Sequence, residues 1–354
     1  MRVAVIHDWL LVYAGAEKVL EQILNIFPKA DLFSVLDFFP KDLRKHLLEK
    51  KSQTTFIQNL PFAKHLYRLY LPLMPLAIEQ LDLSGYDLVI SSSHAVAKGV
   101  LTAPGQRHIC YCHSPLRYAW DLHHAYLKRQ KKPLARYALH HLRIWDAVSS
   151  NRVDTFIANS RFIAERIEKC YRRTAQVIYP PVALDAFPLQ QQKQDFYVTA
   201  SRLVNYKRVD LMVEAFRSMP GRRLVVIGTG PEEKRLKRKA PANVTFTGHL
   251  PHEKMADYLG KARGFVYAAL EDFGISPLEA QACGTAVIAY GRGGVRETCG
   301  QTALFFMEQT PDSIRETVEI FESKSPISPI RCRQNAERFS EERFREEFLK
   351  QVGI

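Results

Sequence analysis

Short apolar runs alternate with amphipathic helical segments along the whole chain, and this alternation restricts the fold most. The runs typical of buried strands are residues 2–7, 31–36, 87–91, 107–112, 155–158, 176–179, 196–200, 224–227, 244–247, 264–269 and 286–289. Strands joined by crossover helices form parallel sheets. The sequence therefore predicts an α/β protein.

The length and one proline pair predict two domains. A chain of 354 residues with 46% hydrophobic content can bury more than one core. Pro180 and Pro181 precede a polar run at residues 189–194, which is typical of a linker. We therefore predict domains at residues 1–180 and 181–338, followed by a final amphipathic helix within residues 339–354.

The segment EDFGISPLEAQACG, residues 271–284, carries two carboxylates on either side of a glycine-containing loop. This segment follows the predicted strand 264–269, and Ser276-Pro277 is typical of a helix start. Ligands bind at such strand ends, next to free helical N–H groups. Glu271 and Glu279 are therefore candidate ligand contacts. Alternatively, Ser276 and Glu279 form a capping box that only closes the helix.

Two cations follow the predicted strand 196–200. Arg202 and Lys207 lie in the loop before the next helix. An Arg fork and a Lys point charge suit a diphosphate. A solvated basic loop is the alternative.

Other candidates occupy similar positions in the chain. Gly15 opens the first helix, where it allows a phosphate to approach or simply makes a turn. His113 follows the strand 107–112 directly, and it either binds a sugar hydroxyl or packs against Tyr118 and Trp120. Residues 248–250 follow the strand 244–247.

Charge is unevenly distributed along the chain. Residues 1–180 carry 25 of the 50 Lys and Arg residues but only 15 of the 37 Asp and Glu residues. This excess indicates an anionic partner for the first half. Residues 61–80 mix aromatic, aliphatic and basic side chains, and residues 128–136 are strongly basic. Both segments suit binding to an anionic membrane surface. The alternative is a helical hairpin over the core together with a solvated charged face.

Several classes of protein are disfavoured. No run of eighteen apolar residues occurs, and a strand pattern begins at once, so we expect neither a membrane span nor a signal peptide. The six scattered cysteines suggest reduced thiols in a cytoplasmic protein. No Asp-x-Asp pair is present to seat a metal, and no nucleic-acid-binding signature is found.

Taken together, these features resemble the retaining GT-B glycosyltransferases of family 4 over nearly the whole chain. The matching motifs are AGAEKVL, CHSPLRYAWD, ANSRFIAERI, SRLVNYKRVDLMVEAF and EDFGISPLEAQACG. The last two motifs are highly specific at this separation, whereas the first has Ala14 where many members carry glycine. The resemblance implies two Rossmann-like domains facing across a cleft, with the final helix returning to the first domain.

The resemblance also implies roles for individual residues. Arg202 and Lys207 correspond to cations that bind the donor diphosphate. Glu279 corresponds to the carboxylate that binds the ribose, and Glu271 to the one near the sugar hydroxyls. His113 corresponds to the histidine beside the reacting centre. The remaining positions expected to contact substrate are Gly15, Gly248, Leu250, Phe273, Gly274, Ile275 and Leu278. No cofactor is implied beyond the nucleotide-sugar substrate.

The likeness extends to bacterial mannosyltransferases that build O-antigen or exopolysaccharide units. It therefore favours transfer of mannose from GDP-mannose to a lipid-linked or oligosaccharide acceptor, in the cytoplasm or at the inner face of the membrane. A UDP-sugar-dependent enzyme of the same family is the nearest alternative. A nucleotide-sugar 2-epimerase is a further alternative.

Overall fold

The computed structural model describes residues 1–124, 127, 133–324 and 327–353. The chain divides into two compact units. Unit 1 comprises residues 1–180 and 344–354, and unit 2 comprises residues 181–343. The boundary between the units falls at the proline pair, and each unit has its own sheet and its own buried core.

Unit 1 contains a seven-stranded, wholly parallel sheet. Its strands are β1 (Val3–His7), β2 (Asp31–Ser34), β3 (Gln53–Thr54), β4 (Leu88–Ser93), β5 (Arg107–Cys112), β6 (Thr155–Ala158) and β7 (Ala175–Val177). They lie in the order β3-β2-β1-β4-β5-β6-β7. The carboxyl ends of β1, β4 and β5 are therefore neighbours, and they place three adjacent loops at one edge.

Helices cover both faces of this sheet. They are α1 (Gly15–Ile26), α2 (Ala63–Leu66), α3 (Met74–Glu79), α4 (Pro133–Ser149), α5 (Arg161–Tyr171) and, from the end of the chain, α13 (Glu341–Val352). Phe344 and Phe348 are fully buried in the core beside Tyr111, whose ring centroid lies 5.8 Å from that of Phe344. Apolar residues on one face of α13 thus attach the end of the chain to unit 1.

Unit 2 contains a six-stranded parallel sheet in the order β10-β9-β8-β11-β12-β13. Its strands are β8 (Gln194–Ala200), β9 (Leu224–Ile227), β10 (Val244–Gly248), β11 (Ala262–Tyr267), β12 (Val287–Tyr290) and β13 (Ala303–Phe306). Its helices are α6 (Val209–Arg217), α7 (Glu233–Lys239), α8 (His252–Lys261), α9 (Ile275–Ala282), α10 (Val295–Cys299), α11 (Pro311–Ser323) and α12 (Pro329–Glu337). The predicted α/β fold with two Rossmann-like sheets is confirmed.

Some local predictions are wrong. Residues 61–80 form consecutive short helical segments rather than the two helices of a hairpin: α2, a 3-10 segment at Tyr67–Leu73 that contains Pro72, and α3. Pro75 lies in the first turn of α3, where it costs no helical hydrogen bond. The strand β13 is not recognisable from the sequence, since its four residues give no alternation and only Phe306 is deeply buried. Most of the basic run 128–136 lies outside the described residues.

The described helices and thiols add two findings. No helix among the described residues is both long and apolar enough to cross a membrane. All six cysteines are free thiols, and five of them are buried. Burial raises the pKa of the Cys299 thiol to about 12, so this side chain stays protonated and packs as a small apolar group.

Candidate active site

The predicted cation and carboxylate of unit 2 meet in an ion pair. Lys207 Nζ lies 2.7 Å from Glu271 Oε1 and donates to Tyr267 Oη at 2.9 Å. Burial disfavours the ammonium ion, but the charges of Glu271 and the neighbouring tyrosines outweigh it and raise the pKa of Lys207. The loops after β8 and β11 are adjacent because these strands pair directly. The sheet thus places an ammonium group, paired with a carboxylate, at its edge.

The loop that carries Arg202 is held by close backbone contact with the loop after β9. Leu203 N–H donates to Thr229 O at 2.9 Å. A Cβ at Gly228 would lie 2.0 Å from Ser201 O, so only glycine permits this approach. The Arg202 side chain is exposed, and no other side chain in the described part of the chain pairs with it. The turn at residues 228–230 therefore holds the backbone of the loop that carries both Arg202 and Lys207.

The Glu271 loop depends on a second close approach. Gly294 N–H donates to Glu271 O at 2.9 Å. A Cβ at Gly294 would lie 2.4 Å from Asp272 O and 2.7 Å from Phe273 Cα. The glycines among residues 291–294 give no sign of this role in the sequence alone. The structure shows that they fix the backbone of the loop carrying a candidate sugar ligand.

The helix α9 begins earlier than predicted. Its N-cap is Gly274, with φ of 92° and no side-chain cap, so Pro277 is the third helical residue rather than the first. Glu279 is then the fifth, and the alternative capping box of Ser276 and Glu279 is wrong. Glu279 is 6% exposed. The first turn leaves backbone N–H groups without helical acceptors, which suits an anionic ligand.

Three neighbouring candidate residues differ in their burial. Leu278 is fully buried, and its side chain belongs to the core of unit 2. Phe273 is 5% exposed and its ring packs against Phe339 at 5.8 Å between centroids. Its backbone is the part that can face a substrate. Ile275 is partly exposed and opens α9.

Gly248 and Leu250 lie at the far side of the same sheet edge. Gly248 ends β10, two strands from β8, and its carbonyl accepts from Gly228 N–H at 2.8 Å. Leu250 is partly exposed in the loop that follows. The hydrogen bond at Gly228 links this loop to the one that supports Arg202.

In unit 1, His113 follows β5 and is half-buried. Its Nε2 lies 2.9 Å from Ser92 Oγ, and its ring contacts Tyr111 and His94. Burial and the nearby histidines keep the pKa of His113 well below its usual range, so the ring is neutral. The Trp120 indole instead donates to Asp146 at 2.7 Å, so the expected packing of Trp120 on His113 is not found.

Sequence reasoning missed a buried carboxylate beside His113. Asp8 follows β1, is fully buried and accepts from four successive backbone N–H groups, those of residues 94–97, at 2.6–3.0 Å. Burial opposes its ionisation, but His94 at 3.0 Å and nearby His7 outweigh this and lower the pKa of Asp8. Like His113, Asp8 and His94 each directly follow a buried strand.

Gly15 starts α1, and a Cβ there would meet nothing within 4 Å. Its position therefore leaves open space, as expected for a contact with substrate, but steric crowding does not require glycine. The preceding Ala14 N–H donates to Glu17 Oε2 at 2.9 Å. Among the described residues, no group of three or more His, Cys, Asp or Glu side chains is arranged to hold a metal ion.

Two family models match the chain in succession. The model described as Glycosyltransferase Family 4 matches residues 14–186, and the one described as Glycosyl transferases group 1 matches residues 184–339. Together they reach into both units and include every site residue predicted from the sequence. The chain belongs to the family 4 glycosyltransferases.

Curated relatives of this family 4 glycosyltransferase share segments with it. A GDP-mannose-dependent monoacylated alpha-(1-6)-phosphatidylinositol monomannoside mannosyltransferase from Corynebacterium glutamicum is 37% identical over 113 residues, which is 28% of this chain and 30% of that protein. A 2-deoxystreptamine N-acetyl-D-glucosaminyltransferase from Streptomyces fradiae is 36% identical over 93 residues, 25% of this chain and 22% of that one. The matched segments thus span less than a third of these relatives.

Solved structures match this glycosyltransferase over nearly its whole length. HepE of Anabaena, in complex with UDP and glucose, has a TM-score of 0.73 at 16% identity and covers 99% of each chain. Sucrose-phosphate synthase of Thermosynechococcus elongatus has a TM-score of 0.76 at 16% identity and covers 99% of this chain and 98% of its own. At this identity the likeness establishes the GT-B fold.

Proposed function

We propose that this protein transfers a hexose, with retention of configuration, from a nucleotide-sugar to a saccharide acceptor. The observation that carries the proposal is the Lys207–Glu271 ion pair at 2.7 Å, at the edge of a parallel sheet with the exposed Arg202 on the same loop as Lys207. Cations there would neutralise the diphosphate while a carboxylate binds sugar hydroxyls. The N-terminus of α9 supplies further N–H donors to the same anion.

The proposed chemistry is electrostatic. Arg202, Lys207 and the first turn of α9 stabilise the charge that develops on the departing nucleoside diphosphate. The acceptor hydroxyl attacks the anomeric carbon from the face that the diphosphate leaves, and the departing phosphate oxygen takes its proton. Unchanged turnover after exhaustive chelation would support a mechanism that needs no metal ion. A loss of turnover that Mg²⁺ restores would contradict it.

We further propose GDP-mannose as donor. Support comes from the motif CYCHSPLRYAWDLHHAYL and from relatives whose names specify GDP-mannose, including a second mannosyltransferase from Mycolicibacterium smegmatis that is 33% identical over 118 residues. The UDP-bound HepE keeps a UDP-sugar as the alternative. Glu279 would bind ribose with either base.

Calorimetric titration of the purified protein with GDP-mannose, UDP-glucose and UDP-GlcNAc decides the donor. We expect GDP-mannose to bind at least about tenfold more tightly, a difference of about 1.4 kcal/mol. Equal or tighter binding of a UDP-sugar would replace GDP-mannose in the proposal. Turnover measured with and without a lipid-linked acceptor then separates a transferase from a nucleotide-sugar 2-epimerase, which needs no acceptor.

For the acceptor we propose a lipid-linked saccharide reached at an anionic membrane surface. Unit 1 presents an apolar groove of about 690 Å³ between the turns around Pro72 and Pro75 and one face of α4. Leu69, Leu134 and Tyr137 are 68%, 77% and 63% exposed. Burying such a face in a bilayer removes apolar area from water.

The charges around this face fit an anionic surface. Residues 62–78 and 133–145 contain basic side chains and histidines but no Asp or Glu. Lys64, Arg68 and Arg136 are exposed there. Each basic group near an anionic bilayer adds about 1 kcal/mol of attraction. Apolar contact and charge therefore favour the same membrane-facing orientation of unit 1.

A further inference from the structure

Four polar side chains form a continuous chain at the edge of the unit 1 sheet. Glu17 Oε1 lies 3.6 Å from His7 Nε2, His7 Nδ1 lies 3.1 Å from Ser92 Oγ, and Ser92 Oγ lies 2.9 Å from His113 Nε2. His7 and Ser92 are fully buried, and Glu17 is 5% exposed. Water therefore does not reach the two inner members, and they must satisfy one another.

The carboxylate at one end determines where each proton lies. His7 Nε2 is buried and has no hydrogen-bond partner nearer than Glu17 Oε1 among the described residues. A lone pair facing a carboxylate would be repelled, so Nε2 of a neutral His7 carries the proton. His7 Nδ1 is then an acceptor, and the Ser92 hydroxyl must donate to it.

The same ordering continues to His113. Because the single Ser92 proton is used toward His7, its oxygen can only accept, and His113 Nε2 must carry a proton. The neutral ring is left with its lone pair on Nδ1, for which no described residue provides a partner. The low pKa of His113 agrees with a neutral ring.

We infer that Glu17, His7 and Ser92 are positioning residues that lock His113 in the Nε2–H tautomer, so that its Nδ1 accepts a hydrogen bond from a substrate hydroxyl. This inference rests on the proposed function for the role of His113 but not for its tautomer. An accepting nitrogen selects a hydroxyl and rejects a carbonyl or ether oxygen at that point. Glu17, in the first turn of α1, thus determines which ring nitrogen of His113 carries the proton at the candidate reacting centre.

The other charged groups near these four side chains do not change this assignment of the protons. Asp8 pairs with His94 at 3.0 Å and with the four backbone N–H groups, so its charge is already compensated. His94 packs with its ring centroid 6.3 Å from that of His113 and 6.0 Å from that of His7. A positive charge on His113 is disfavoured by this neighbour.

The test reads the tautomer directly. ¹⁵N-histidine-labelled protein is studied by two-bond nitrogen–proton correlation at pH 7.5 without substrate, and the His113 signals are assigned by their loss in His113→Gln. The variants are Ser92→Ala, which removes the bridge, and Glu17→Gln, whose amide can donate to His7 and so reverse the order. The matched control is Glu21→Gln, one turn further along α1, where Glu21 accepts from His46 at 2.9 Å.

We expect an Nε2–H ring in the wild type and in Glu21→Gln, and a mixed or Nδ1–H ring in both test variants. An Nδ1–H or doubly protonated His113 in the wild type, or a tautomer unchanged in both variants, would overturn the inference. Transfer should fall about tenfold or more in Ser92→Ala. A changed tautomer with unchanged turnover would leave the chain standing and remove His113 from the proposed reaction.

Discussion

Lys207 and Glu271 neutralise each other at 2.7 Å across the ends of two paired strands, β8 and β11. Both side chains are mostly shielded, at 14% and 16% exposed. The pair holds each group in place before a substrate arrives, which reduces the ordering cost of binding. A bound diphosphate would then share a cation that is already positioned, and the sugar would meet a carboxylate that is already oriented.

Breaking this pair should remove transfer. We expect Glu271→Gln and Lys207→Met each to lower kcat/KM by about a hundredfold or more, because each removes a charge aimed at the donor. The measurement is initial-rate kinetics with the donor identified by calorimetry. Far-ultraviolet circular dichroism should remain that of the wild type.

The double variant provides the control for stability. Removing one partner leaves a shielded charge unpaired, whereas removing both does not. Lys207→Met/Glu271→Gln should therefore be more stable than the Lys207→Met single variant and equally inactive. Wild-type turnover in either single variant would refute the site.

Close backbone packing should matter as much as charge. Gly294→Ala would place a methyl group 2.4 Å from Asp272 O and displace the Glu271 loop. We expect a clear loss of turnover while unit 2 remains folded, as judged by its unfolding transition. Gly221→Ala is the matched control, since nothing lies within 4 Å of its added Cβ. Equal activity of the two variants would show that the loop tolerates the shift.

Much of the fold was predictable because it depends on short-range pattern. The strands of the parallel sheets bury continuous apolar runs, and a run such as residues 224–227 is visible without a structure. One exception is instructive. The polar residues 189–194 looked like a free linker, yet Lys193 donates to Gly260 O at 2.7 Å and Thr285 Oγ1 at 2.8 Å.

The candidate site was predictable in position but not in contacts. The rule that ligands bind beyond the carboxyl ends of parallel strands located Arg202, Lys207, Glu271 and His113. It could not show that Lys207 and Glu271 pair, because that depends on which strands are neighbours. The buried Asp8 was missed because a lone carboxylate after a strand gives no signal until its N–H donors, distant in sequence, are known.

The His94–Asp8 pair should make stability depend on pH. The proximity of Asp8 raises the pKa of His94 against the opposing effect of its burial. The stabilisation is therefore complete below the unfolded pKa of about 6.5 and is lost as pH rises through the higher folded value. His94→Gln should destabilise more at pH 6 than at pH 9, measured by urea unfolding.

A second histidine gives the comparison. His65 is exposed on unit 1, so His65→Gln should show nearly the same small effect at both pH values. A destabilisation by His94→Gln that does not decrease between pH 6 and pH 9 would show that the pair carries no net charge interaction.

A buried ion pair between Lys98 and Asp146 of α4 should contribute strongly to the stability of unit 1. Lys98 and Asp146 are 1% and 0% exposed with Nζ and Oδ1 2.5 Å apart, and Asp146 also accepts from Trp120 and Tyr171. Asp146→Ala leaves the Lys98 charge buried and unpaired, so we expect a loss of about 3–5 kcal/mol. Nucleotide binding measured on folded protein should be unchanged, since the pair lies in unit 1. A loss below about 1 kcal/mol would mean that Lys98 reaches water in the variant.

The exposed apolar face of unit 1 should bind anionic bilayers. We expect sedimentation with vesicles of phosphatidylglycerol and phosphatidylcholine, and little with phosphatidylcholine alone, because both apolar contact and charge are required. Leu69→Ser/Leu134→Ser should reduce binding severalfold. Ile320→Ser is the control, because Ile320 is an apolar residue 45% exposed on unit 2. Equal binding of the double variant and the control, or equal binding to neutral vesicles, would assign this face to something other than an anionic membrane.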